Sequence, residues 1–119
     1  ATVELAFRAM KLAARSMVHG ENNTVEVWST CSVDQILKDR RFAGIVDPLG
    51  LFLSSLLVPA SRAPGGTLLV RFAHRAYQEY FLARHVIEDE PALAQVAWPA
   101  GVREWLHDLR DAAGEGSEL

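Results

Sequence analysis

The sequence is poor in cysteine. Cys31 stands alone among 119 residues, so no internal disulfide can staple the chain, and a reducing, cytoplasmic setting is expected. No signal peptide is visible. Long hydrophobic runs are missing too. The most apolar stretch, residues 49–60, is interrupted by Ser54, Ser55 and Pro59. It falls well short of the ~20 residues needed to cross a bilayer, so no membrane partner is expected. The 8 glycines and 5 prolines show no repeat, which excludes a collagen-like rod. Positive charge is not in surplus: the net charge is −3, whereas nucleic-acid binders are more often basic. The phosphate loop Gly-x-x-x-x-Gly-Lys-[Ser/Thr], the nucleophile elbow Gly-x-Ser-x-Gly and the zinc motif His-Glu-x-x-His are all absent.

What the chain does have is apolar content. Half of it is hydrophobic and 23% is charged, which suits one globular domain able to bury its own core and is too apolar for a disordered chain. The charge is uneven. Residues 1–85 carry 10 basic and 7 acidic side chains, and residues 86–119 carry 2 and 8. The acidic end reads as a solvated face and tail. The chain opens on Ala-Thr-Val without a methionine and is already helical in pattern there, so it is expected to be a domain excised from a longer protein.

The periodicities give an order of elements. Thr2 suits an N-cap, and Leu5, Ala6, Ala9, Met10, Leu12, Ala13 and Met17 recur at helical spacing, so a helix is expected over residues 3–19, closed by Gly20. Arg8, Lys11 and Arg15 fall on its other face. Residues 24–28 are β-branched and aromatic and predict a short strand. Ser32-Val33-Asp34-Gln35 has the form of a capping box, opening a second helix to about Arg40. Asp47-Pro48 starts a third, very apolar helix that should end before Pro59. Residues 57–58 and 68–72 predict two strands joined by the turn-rich segment 59–66. A long helix follows from His74 or Arg75 to Glu88, with Ala73, Tyr77, Tyr80, Phe81, Arg84 and Ile87 along one stripe. Pro91 offers a start for another helix, Trp98 to Gly101 breaks it, and a last helix is expected over 102–113. Residues 114–119 read as a frayed tail.

The fold class predicted is therefore mostly α with a small β-hairpin. It is a winged helix, that is a helix-turn-helix with a wing, over residues 1–90, followed by a C-terminal helical connector and flexible tail over residues 91–119. The chemistry is thin. His19, His74, His85 and His107 are widely spaced, and His74 and His85 lie about three turns apart along one helix, too far to share a metal, so no metal is expected. Nothing marks Cys31 as activated, and it reads as a small buried hydrophobe. Asp34/Asp39 and Glu88-Asp89-Glu90 sit at helix ends and read as caps and solvated charge. An enzyme confined to these residues is not expected. A DNA-reading winged helix needs Arg, Lys, Asn or Gln on its recognition helix, and residues 49–56 offer no basic side chain. Only Lys38, Arg40, Arg41 and Arg62 lie nearby, so DNA is a weak alternative partner. A plain protein-interaction module is another.

The most informative segment is Phe72-Ala-His74-Arg75-Ala-Tyr77-Gln78-Glu79-Tyr80-Phe81-Leu-Ala83. A strand delivers an imidazole to the point where a helix begins, and unpaired N–H groups there favour anions, so His74 and Arg75 make a candidate phosphate site. The segment resembles the Phe-x-His-x-[Ser/Thr]-[Phe/Tyr]-Gln-Glu-[Tyr/Phe]-[Phe/Leu]-Ala-Ala stretch of NACHT-type signal-transduction NTPases of the STAND class. That group includes animal NOD-like receptors and bacterial antiphage proteins. Ala76 replaces the usual hydroxyl residue and Leu82 the first alanine, and neither change touches His74. A bacterial source is expected from the Ala- and Arg-rich composition. The resemblance covers about 12 residues closely, and the architecture of residues 2–90 is compatible with it.

The resemblance implies a winged-helix domain that follows an NTPase core in the same polypeptide. Its histidine, here His74, contacts the β-phosphate of ADP held by that core and fastens a closed resting state. Arg75 is a looser candidate for the same phosphate. Exchange of ADP for ATP releases the contact and permits homo-oligomerisation, with antiphage or innate-immune-like defence as the implied setting. Tyr77, Gln78, Glu79, Tyr80 and Phe81 are implied to pack the helix on the domain. The nucleotide-hydrolysing motifs would lie outside this chain, which alone is expected to bind ADP poorly.

Overall fold

The computed structural model describes residues 2–20, 25–34, 56–62 and 64–118. Helix α1 spans Thr2–Ser16. It stops three residues short of the expected His19. Met17 N–H reaches back to Ala14 O at 3.2 Å, and Val18–His19 leave the helix as strand β1, paired antiparallel with β2, Glu26–Val27. Val18 is β-branched, so a cross-strand partner in Val27 suits it better than another helical turn. The expected strand over residues 24–28 thus exists but is only two residues long.

A second sheet holds three antiparallel strands in the order β3-β5-β4: β3 is Cys31–Ser32, β4 Leu57–Arg62 and β5 Leu68–Phe72. Cys31 faces Val70, and Leu57 faces Phe72. The hairpin differs from expectation at one point. Residues 59–62 belong to β4 and not to the turn, with an irregularity in register between Pro59 and Ser61. A proline is tolerated there because β4 is an edge strand among the described residues and needs no N–H on its outer side. Gly65 (φ 96°) and Gly66 (φ 87°) make the turn. Along β5, Val70 and Phe72 are buried and Arg71 is exposed, the alternation expected of a half-buried strand.

Val33 and Asp34 are helical, as the capping box requires. The rest of that expected second helix, and residues 48–55 of the expected third, lie outside the described residues, and Leu56 to Val58, where the third was expected to end, are not helical. Leu57 and Val58 stand in β4.

Helix α2, Arg75–Glu88, is the centre of the molecule. Its edge-to-face contact between Phe81 and Phe7 (centroids 5.2 Å apart) joins it to α1. Phe72 stacks on Phe81 at 5.9 Å and joins it to β5, and Trp105 meets Tyr80 at 5.1 Å and joins it to α3. Three neighbours leave α2 no single apolar stripe. Its buried side chains are Gln78, Phe81, Leu82, Ala83, His85 and Val86, whereas Tyr77, placed on the inner stripe by spacing, is exposed. The core groups Phe81, Leu82, Ala83 and Val86 with Ala9, Leu12, Ala13 and Met17 of the first helix and its end.

Pro91–Gln95 form a 3₁₀ turn and not a full helix. Trp98 is buried beyond it and donates Nε1–H to Leu93 O at 2.8 Å. Helix α3 runs Ala100–Glu118. It starts earlier than expected because Pro99 O already accepts the Arg103 N–H at 3.0 Å. It also continues past Ala113 through Gly114 and Gly116. Glycine costs a helix about 1 kcal/mol each but keeps its N–H donor, so it does not stop one as proline would. None of the described helices is long and apolar enough to cross a membrane.

Candidate functional site at the strand–helix junction

His74 is the N-cap of α2. Its backbone is extended (φ −135°, ψ 141°), and its side chain makes no capping hydrogen bond. The junction is fixed by backbone bonds on either side: Ala73 N–H donates to Leu56 O at 2.7 Å, and Tyr77 N–H donates to His74 O at 3.1 Å. The imidazole is exposed and meets the Tyr77 ring edge-on at 5.4 Å. Arg75 is 80% exposed, with Nε 3.8 Å from Glu79 Oε2 one turn on. Arg71 Nη1 donates to Phe72 O at 3.2 Å. The first turn of α2 holds no acid. An imidazole, a guanidinium and the free N–H groups of a helix start thus share one corner, an arrangement that suits a phosphate or carboxylate.

Beside this corner lies a groove of about 370 Å³, whose walls include Trp28, Arg71, Arg75, Glu79, Pro99 and Val102. Spacing gave no hint of it, because it is assembled from three separate stretches of chain, residues 27–29, 71–79 and 99–102. Gln78 holds it together: buried, it donates Nε2–H to Trp28 O at 2.7 Å. Trp28 itself is 48% exposed and stacks on His19 at 3.8 Å.

The acidic triplet at the end of α2 is not solvated charge. Lys11 reaches Glu88 at 3.0 Å and Asp89 at 2.9 Å, and Arg15 Nε reaches Glu90 at 2.9 Å. Three carboxylates at a helix C-terminus oppose the helix dipole, and cations from α1 compensate. Arg84 adds a bond to Glu88 at 3.1 Å. Burial pushes the Glu88 carboxyl up, but Arg84 and Lys11 outweigh it and hold that group below its ordinary range. Glu90 behaves alike: burial raises it, and bonds from His85 and Arg15 bring it down. His85 is fully buried with Nε2 2.6 Å from Glu90 Oε1, while its Nδ1 has no hydrogen-bond partner and Asp89 Oδ2 stands 3.5 Å away. The pairing is invisible in sequence because its members are more than 70 residues apart. The only signal was a basic stripe on α1 and an acidic triplet elsewhere.

The remaining candidates stand apart. Cys31 is buried in β3, and burial pushes its thiol up to about 12, so it is protonated at neutral pH. His107 is exposed on α3, 3.3 Å from Asp111. No group of three or more metal-ligating side chains occurs among the described residues. Lys38, Arg40 and Arg41 lie outside those residues, and Arg62 Nη1 donates to Gly66 O across the hairpin turn at 2.8 Å. No protein family, curated protein or solved structure shows a significant match to the chain.

Proposed function

We propose that this chain is the winged-helix regulatory domain of a NACHT-like signal-transduction NTPase, with β4 and β5 as its wing. In this reading His74, with Arg75 beside it, contacts the β-phosphate of ADP bound by an NTPase core elsewhere in the polypeptide and so holds the resting state. Exchange for ATP removes the contact and frees the domain to move, permitting oligomerisation. The observation that carries the reading is the uncommitted imidazole of His74. It stands exposed at the N-cap of α2 and leaves capping undone, so its ring N–H is available to an incoming anion. The strand–helix junction presents it rigidly, and the acid-free first turn of α2 adds no repulsion.

The test is His74→Ala in the full-length protein, with co-purified nucleotide measured by chromatography. A hydrogen bond to a charged group contributes about 1.5–3 kcal/mol. The variant is therefore expected to retain at least about tenfold less ADP and to oligomerise without its signal. Undiminished ADP and an intact resting state would overturn the reading.

A further inference from the structure

His85 lies in the last turn of α2, and its side chain is 1% exposed. Both ring nitrogens face carboxylates. Nε2 is 2.6 Å from Glu90 Oε1, and Nδ1, which has no hydrogen-bond partner, is 3.5 Å from Asp89 Oδ2. A neutral imidazole carries one N–H and one bare lone pair. Whichever nitrogen holds the proton, the other turns its lone pair on a carboxylate oxygen. Only the imidazolium has a proton for each. The same two oxygens also serve α1. Lys11 Nζ donates to Asp89 Oδ2 at 2.9 Å, and Arg15 Nε donates to Glu90 Oε1 at 2.9 Å. His85 therefore stands between two of the ion pairs that lace α1 to the end of α2.

We propose that His85 is a proton-operated bridge: one proton taken up from solvent at Nδ1 draws Asp89 into hydrogen-bond range while Nε2–H holds Glu90, and the seam between α1 and α2 tightens. Loss of that proton turns the Nδ1 lone pair back on Asp89 and slackens the seam. The charges around the ring suit this role. Glu88, Asp89 and Glu90 are matched by Lys11, Arg15 and Arg84, and a helix C-terminus favours a cation. The 3₁₀ turn over residues 91–95 has no titratable side chain, and Arg71 of β5 and the charged side chains of α3 from Arg103 to Asp111 are exposed. Burial opposes a charge on the ring, and a carboxylate at each nitrogen offsets that cost. The bridge lies at the far end of α2 from His74 and does not rest on the nucleotide reading.

The test compares the chain with its Asp89→Asn variant in urea denaturation. Stability linked to this proton is full below the ordinary histidine value of about 6.5 and is lost at higher pH. The folded-to-unfolded ratio of the wild type relative to the variant is expected to fall about tenfold between about pH 5.5 and about pH 8.5. In the variant an amide N–H can donate to the neutral Nδ1, so this dependence goes. Its lost Lys11 pair weakens it alike across the range, and His19, His74 and His107 titrate in both proteins and cancel. Nitrogen-15 NMR reads the ring directly, and both nitrogens of His85 should be protonated at about pH 5.5. A relative ratio that does not change with pH, or a His85 ring still neutral at that pH, overturns the bridge.

Discussion

Trp28 is held at both ends of its backbone. Its N–H donates to Met17 O at 2.7 Å, and its carbonyl accepts from Gln78 at 2.7 Å. One buried amide thus ties the loop after β2 to α2, and the end of α1 secures the other side. Gln78→Leu keeps the volume and removes the donor, leaving a part-buried carbonyl unsatisfied. A loss of about 1 kcal/mol is expected in chemical denaturation, with a change in Trp28 fluorescence because the groove wall loosens. Unchanged stability and fluorescence would mean that water replaces the amide. The buried, packing role of Gln78 was expected from the motif around it. Its partner was not, because a bond to a backbone carbonyl 50 residues away leaves no trace in spacing. Tyr77 shows the opposite failure: periodicity placed it inward, but α2 has three packing neighbours, and its exposed sector falls at that position.

The elements themselves were more legible. The long apolar repeat of α1 and the Phe72–Ala83 run of β5 into α2 each announced their type, because burial on one side imposes a period. The two-residue strands β1 and β3 did not, since two residues carry no period. Pro59 misled for a physical reason. Proline usually marks a turn, yet an edge strand tolerates it. The true turn rests on Gly65 and Gly66, which have φ of 96° and 87°, and no heavy atom lies within 4 Å of the position a Cβ would take on either. Alanine at either position therefore meets no collision and suffers only the left-handed backbone. Each of Gly65→Ala and Gly66→Ala is expected to destabilise the hairpin by about 1–2 kcal/mol, read as faster amide exchange in residues 57–62 and 68–72 with α1 and α3 unaffected. A uniform loss across the molecule would refute that local account.

Across the whole molecule, α1 and the end of α2 are joined by polar contacts as well as by core packing. Glu88 and Glu90 both titrate below their ordinary range in the folded state. Their ionised forms therefore contribute stability that is full above the ordinary glutamate value of about 4.3 and is lost as pH falls through the depressed folded values. Denaturation midpoints measured from about pH 7 down to about pH 3 should decline on that acid limb. Glu88→Gln with Glu90→Gln should flatten it while lowering stability at neutral pH. An acid limb equally steep in the double variant would show that other carboxylates dominate.

The irregular β4 has a consequence for how this domain meets other chains. A sheet edge ordinarily invites a foreign strand, since its outer N–H and C=O groups form a ready template. Here Pro59 has no N–H to offer, and the register slip at Ala60 breaks the repeat beyond it. A segment trying to add itself along β4 would find the template interrupted near its middle. Recruitment through that edge is thereby discouraged, and a partner approaching from that side must recognise side chains instead of backbone.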